Sequence, residues 1–306
     1  IHANYKMNNL SFEDLKGFRS IESKLTGHGE SHLYPEGVLL SNGPLGSSVA
    51  QAEGLCLSDK LSNNNRITIL TISDGACMEG EAKESFASIP GFAQKGKMNP
   101  FVMIISDNNT KLSGRINEDS FDLSNTFDSL ATLGWETIKV NDGHDIQNVY
   151  TQIEKAIYQA KETPNRPIAI VIKTIKGKGV KSTEQSSSGG HGYPLKAYDK
   201  NLLAFLDEIY QGQTPKEFID WAESIINKND TNCSDSIFDV YSNDKKEKVQ
   251  VGVSKTLIKL KEEGLPIVSI TSDLAGSTGV ANFQKSYPDS TIDVGVAESN
   301  MVSIAA

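Results

Sequence analysis

Cysteine is scarce in this chain of 306 residues, and its three copies, Cys56, Cys77 and Cys233, have no metal-ligand spacing. They read as small buried apolar residues, and with no signal peptide at the start a reducing cytoplasm is the expected compartment. No apolar run approaches the roughly 20 residues that a membrane-spanning helix requires, so no membrane partner is expected. Basic charge is also short: 30 Lys and Arg against 39 Asp and Glu leave a formal net charge of −9, which supplies no electrostatic footprint for nucleic acid. No short internal repeat marks a solenoid. What remains is ordinary globular composition, 38% apolar and 23% charged, enough for about two domains acting on small molecules.

The apolar residues are grouped rather than spread. Residues 67–72, 101–106, 135–140 and 168–173 are short, β-branched and largely free of charge, the pattern of parallel strands buried on both faces. Amphipathic stretches at 80–94 and 146–161 lie between them, a small-residue helix is expected at 46–61, and Ser11 with Asp14 resembles a capping box opening a short helix. Strand, helix, strand alternation predicts a doubly wound α/β sheet. Residues 173–191 read as a long loop rich in Lys, Gly and Ser, and 229–248 as a polar linker. A second α/β unit is expected from 249, with a helix to 263, strands at 266–271 and 291–294, and a helix opening near Glu298.

Ligands in such sheets sit beyond the carboxyl ends of the strands. Ser73-Asp74-Gly75 ends the first strand and Asp107-Asn108-Asn109 the second. An Asp and an Asn so placed can aim two oxygens at one hard cation, which can in turn grip a diphosphate. Taken singly, an Asp-Gly turn or an Asn-Asn turn is a frequent strand ending; the pair in one βαβ unit is more specific.

Five stretches taken in order resemble the transketolases: Asn42-Gly43-Pro44-Leu45-Gly46, Ser73-Asp74-Gly75 with Glu79-Gly80, Ser106-Asp107-Asn108-Asn109, His191-Gly192-Tyr193-Pro194-Leu195 and Gly295-Val296-Ala297-Glu298. The resemblance covers nearly the whole chain. It implies a diphosphate-binding domain over residues 1–228 that lacks its first part, the linker 229–248, and the beginning of a pyrimidine-binding domain over 249–306; both ends read as cut. It further implies thiamine diphosphate, with Mg²⁺ (replaceable by Ca²⁺ or Mn²⁺) held by Asp74, Asn108 and the Thr110 carbonyl. Gly43, Leu45, Gly75, Glu79, His191 and Asp273 would contact the cofactor or its surroundings. Glu298 would act on the pyrimidine nitrogen, and His28 and His191 would meet substrate. The family's cofactor lies at a homodimer interface, and its reaction moves a two-carbon ketol unit between sugars or sugar phosphates.

Three departures from the family pattern stand out. Ser73 replaces a Gly, the prolines around His28 are missing, and Val251 stands where many relatives carry an Arg able to fork onto a sugar phosphate. That last change leaves nonphosphorylated or differently held donors open. The lysines 173, 176, 178 and 181 read either as a solvated loop or as a cover over phosphate. His144 lies in a turn and reads as structural. Two alternative functions remain: a deoxyxylulose-phosphate synthase-like enzyme that decarboxylates a 2-oxo acid, and a noncatalytic fragment that needs the missing part of the pyrimidine domain.

Overall fold

The computed structural model describes residues 7, 9–41, 43–191, 195, 198–228 and 249–305. The expected linker 229–248, Asn42, Cys233 and Gly192-Tyr193-Pro194 lie outside them. Four parallel strands, β1 (Thr68–Ser73), β2 (Phe101–Asp107), β3 (Glu136–Val140) and β4 (Ile168–Lys173), form a sheet in the order β1-β2-β4-β3. Successive side chains of a strand point to opposite faces. Here Phe101, Met103 and Ile105 with Ala169 and Val171 enter one core, while Val102 with Ile168, Ile170 and Ile172 enters another.

Helices Ser47–Leu61, Gly80–Gln94 and Ser124–Leu133 cover the first face, through Val49 and Cys56, Phe86 and Ile89, Phe127 and Leu130. Helix Ile146–Glu162 covers the second with Val149, Ile153, Ala156 and Ala160. Both faces are thus covered over the inner strands β2 and β4, which is why those strands read as unbroken apolar runs. The chain has the parallel-sheet α/β fold expected of it.

Several boundaries shift. Trp135 belongs to no strand: Gly134 ends the preceding helix at φ 110°, and the buried indole Nε1 instead donates to the Phe86 carbonyl at 2.7 Å. The helix Ser124–Leu133 was not expected, although Leu123, Phe127 and Leu130 carry its i, i+4, i+7 spacing. Helices Leu202–Ile209 and Lys216–Lys228 follow the long loop.

In the second unit β5 (Ser269–Thr271) pairs in parallel with β6 (Thr291–Asp293). The strand expected from 266 starts three residues late, since Pro266 has no N–H for the ladder. Helix Val249–Glu262 precedes β5, helix Glu298–Ala305 follows β6, and Val296 between them is buried in the core of the first unit.

Lys111 ties the two units together. Its side chain is fully buried, and Nζ donates to Asp273 at 2.9 Å, Asp293 at 3.0 Å and Ser113 Oγ at 3.0 Å. Asp273, at φ 58°, also accepts from the Leu112 and Ser113 amides at 2.6 and 3.0 Å. Removing the cation strands the buried Asp273 and the partly buried Asp293, a loss of about 3–5 kcal/mol for comparable buried pairs. We therefore expect Lys111→Met to lower the stability of the full-length protein by that order in urea unfolding. An unchanged midpoint would mean that the cluster contributes nothing net.

Candidate functional site

At the carboxyl end of β1 the ladder runs one residue further, with the Asp74 amide donating to the Ser106 carbonyl at 3.1 Å. The chain then turns into a 3₁₀ segment, Ala76–Met78. This leaves the Asp74 side chain buried between two strand ends. Its Oδ1 accepts from the Gly75 amide at 2.8 Å, and its Oδ2 from the Asn108 and Asn109 amides at 2.7 and 2.5 Å. Asn109 takes the left-handed conformation (φ 54°) that Asn tolerates. Asp74 and Asn108, 34 residues apart, are thereby in direct contact. Burial pushes the Asp74 carboxyl up to about 6, against the pull of its three amide donors.

Asn108 Oδ1 is buried without a hydrogen-bond partner. Such an orphan costs about 1–3 kcal/mol and marks a place for something the chain does not supply. The Thr110 carbonyl is also near, 3.7 Å from where a Cβ on Gly75 would stand. One carboxylate, one amide oxygen and one carbonyl are hard donors suited to Mg²⁺ with phosphate oxygens completing its shell. Among the described residues no three His, Cys, Asp or Glu side chains form a metal-sized group, so the chain provides only part of a cage. The residues present fit a cation shared with an anionic ligand.

Next to this point lies a cavity of about 410 Å³, lined by residues from both units: Gly43, Leu45, Ser73, Gly75, Glu79, Thr110, Lys176 and His191 from the first, and Asp273, Val296 and Glu298 from the second. His28 stands beside Gly43, whose added Cβ would come within 3.9 Å of His28 Nδ1. Asp74 borders a neighbouring cavity of about 220 Å³ together with Asp107, Asn109 and Lys173. Ser73 leaves the turn intact, its hydroxyl accepting from the Ala76 amide at 3.4 Å. His144 has the structural role expected of it, with Nε2 accepting from the Ile175 amide at 2.8 Å. Val251 is partly exposed on helix Val249–Glu262.

Glu79 and Glu298 meet on the cavity wall. Glu79 is wedged against Gly46, where φ is 82° and a Cβ would fall 2.4 Å from Glu79 Cβ, so only glycine fits. Glu298 opens its helix beyond a loop fixed from within: Ser272 Oγ donates to the Gly295 carbonyl at 2.8 Å, and the Ala297 amide donates to Ser272 Oγ at 3.1 Å. Burial first, then the charge and hydrogen bond of Glu298, push the Glu79 carboxyl up to about 7. Glu79 therefore carries a proton near neutral pH, beside the Glu298 carboxyl. Because the folded value is raised, the stability Glu79 contributes is present below the ordinary carboxylate range and is lost as pH rises through about 7. Glu79→Gln should raise the melting temperature of the cofactor-free protein at about pH 8 and give no gain near about pH 4; a gain equal at both would refute a proton held on Glu79.

What sequence reasoning missed is Lys111 with Asp293. A lysine in a turn and an acid at a strand end give no signal until the two units meet.

The family profile described as "Transketolase, thiamine diphosphate binding domain" matches residues 3–236. The transketolase of Geobacillus stearothermophilus is 32% identical over 219 residues, 68% of this chain and 30% of that protein. That of Bacillus subtilis is 32% identical over 203 residues, 63% of this chain and 29% of that protein. A crystal structure of a Pichia stipitis transketolase variant superposes with a TM-score of 0.51 at 24% identity, covering 96% of this chain and 50% of that one. Another, solved with sedoheptulose 7-phosphate, gives 0.51 at 22%, covering 94% and 49%. The chain thus spans about a third of its curated relatives and half of these structures. With its two-sided parallel sheet and strand-end Asp74 and Asn108, the chain belongs to the transketolase family, whose thiamine diphosphate-binding domain it carries.

Proposed function

We propose that the protein of which this chain is part transfers a two-carbon ketol unit between sugars or sugar phosphates, using thiamine diphosphate and Mg²⁺. The observation carrying this reading is the single cavity that has the Glu79 and Glu298 pair on its wall and Asp74, the orphaned Asn108 oxygen and the Thr110 carbonyl beside it. When bound, thiamine diphosphate supplies a carbanion equivalent at its thiazolium carbon. The chain's part is to bind, orient and move protons. Asp74, Asn108 and Thr110 hold the cation. Gly75, lacking a side chain, lets backbone approach phosphate. Gly43, Leu45 and Asp273 shape the wall. Glu79 keeps a proton near neutral pH, and Glu298 beside it on the wall is placed to exchange a proton with a ring nitrogen. His28 and His191 would meet substrate hydroxyls.

In the same reading residues 1–228 form the diphosphate-binding domain, 229–248 the linker and 249–306 the start of the pyrimidine-binding domain. The active form is a cytoplasmic homodimer. No helix among the described residues is long and apolar enough to cross a membrane. The deciding experiment gives the full-length protein thiamine diphosphate and Mg²⁺ and follows donor consumption with an aldose acceptor. Turnover of xylulose 5-phosphate is expected. Turnover of pyruvate instead, or of neither, would overturn the proposal.

A further inference from the structure

The loop that leads into Glu298 is held at two points. At its start Asp293 Oδ1 accepts from the Gly295 amide at 2.8 Å. Further on, Ser272 Oγ donates to the Gly295 carbonyl at 2.8 Å and accepts from the Ala297 amide at 3.1 Å. Gly295, at φ 71°, is pressed onto the first unit, where a Cβ would overlap Met78 Cε, one residue before Glu79. The direction in which Glu298 leaves this loop is therefore set by where Asp293 and Ser272 stand.

Lys111 fixes both. Its Nζ reaches Asp293 Oδ2 at 3.0 Å, on the carboxylate whose other oxygen holds Gly295, and Asp273 Oδ1 at 2.9 Å, one residue after Ser272. Asp273 is gripped in turn by the Leu112 and Ser113 amides. The lysine is itself set by the turn after β2: its amide donates to the Gly114 carbonyl at 2.9 Å, and Arg115 Nη1 donates to the hydroxyl of the preceding Thr110 at 2.8 Å. One fully buried ammonium thus joins the turn that carries Asn108 and Thr110 to the loop that carries Glu298. Charge-assisted hydrogen bonds out of reach of water hold their geometry tightly.

Lys111 also touches the 410 Å³ cavity, but it has nothing left to offer a ligand. An ammonium has three donors, and Asp273, Asp293 and Ser113 Oγ take all of them.

We propose that Lys111 is a positioning residue for Glu298: by holding Asp293 and Asp273 together it sets the Glu298 carboxyl beside Glu79 on the cavity wall. The kinetic part of this inference rests on the proposed function and goes beyond it, since neither the strand-end motifs nor the family resemblance gives this lysine a role.

The test uses the full-length protein and its Lys111→Met, Lys111→Arg and Asp293→Ala variants. Asp293→Ala leaves the Lys111–Asp273 pair in place, and it carries the test should Lys111→Met fail to fold. For each folded variant kcat and KM are measured with xylulose 5-phosphate, and thiamine diphosphate affinity with Mg²⁺ by calorimetry. Misplacing a reacting group by about 1 Å costs about 100-fold, so kcat should fall by that order in Lys111→Met and Asp293→Ala, with KM and cofactor affinity nearly unchanged and Lys111→Arg recovering part of the loss. Added to Glu298→Gln, the same substitutions should cost little more, because the group they misplace no longer passes a proton. An unchanged kcat overturns the inference, since a merely structural tie would lower only the unfolding midpoint. A full further loss on top of Glu298→Gln overturns it as well, and so does a fall in cofactor affinity as large as the fall in kcat.

A second readout needs neither cofactor nor turnover. With Glu298 displaced, burial still raises the Glu79 carboxyl but the Glu298 charge no longer adds to it. The gain in melting temperature that Glu79→Gln gives at about pH 8 should therefore shrink in the Lys111→Met background, or in Asp293→Ala. A smaller gain in a protein that turns over no ketose would sink the proposed function and leave the positioning role standing. An undiminished gain would remove that role whatever the turnover.

Discussion

In the full-length protein Glu298→Gln should leave the fold and thiamine diphosphate affinity nearly unchanged while kcat falls about 10²–10⁴-fold, the range for losing a positioned acid or base. The amide keeps the size and the hydrogen bond toward Glu79 but can no longer pass a proton. An effect confined to kcat marks an interaction needed mainly in the transition state. Mixing sharpens the claim. The family resemblance assigns Glu298 and Asp74 of one site to different subunits, so subunit exchange between Glu298→Gln and Asp74→Ala proteins should restore some activity. In the structure of the single chain Glu298 stands on the same cavity as Glu79. If exchange is verified and no activity returns, the composite site across an interface is wrong, and one chain completes its own centre.

For Asp74→Ala we expect Mg²⁺-dependent binding of thiamine diphosphate to weaken at least roughly 100-fold, since removing even the outer partners of a metal typically costs 10–100-fold. Alanine also strands the Asn108 and Asn109 amides, which donate to Asp74 at 2.7 and 2.5 Å, and could unsettle the loop. Asp74→Asn keeps the volume and an accepting oxygen while removing the charge, so affinity lost with melting retained isolates the electrostatic part. The pH dependence has a definite sign. The carboxyl is raised to about 6 without a cation, so its stability contribution is present below the ordinary carboxylate range and is lost as pH rises through about 6. A cation stabilises the ionised form and must compete with the proton. Mg²⁺ should therefore raise the melting temperature more at about pH 7.5 than at about pH 5; an equal rise at both would remove Asp74 from the ligand set.

By itself the sequence determined the layered α/β fold, because Ile168, Ala169, Ile170, Val171 and Ile172 can all be buried only between two covered faces. It also set Asp74 and Asn108 at the ends of neighbouring strands, because strand ends follow from where apolar runs stop. Tertiary structure decided everything that depends on distant segments meeting. Glu79 and Glu298 are 219 residues apart, and they meet because Gly46 admits Glu79 and Ser272 fixes the loop before Glu298. Lys111 reads as a loop lysine, and only the meeting of the two units brings its ammonium against Asp273 and Asp293. Charge pairing acts through space at a few ångströms, and chain separation carries no information about it.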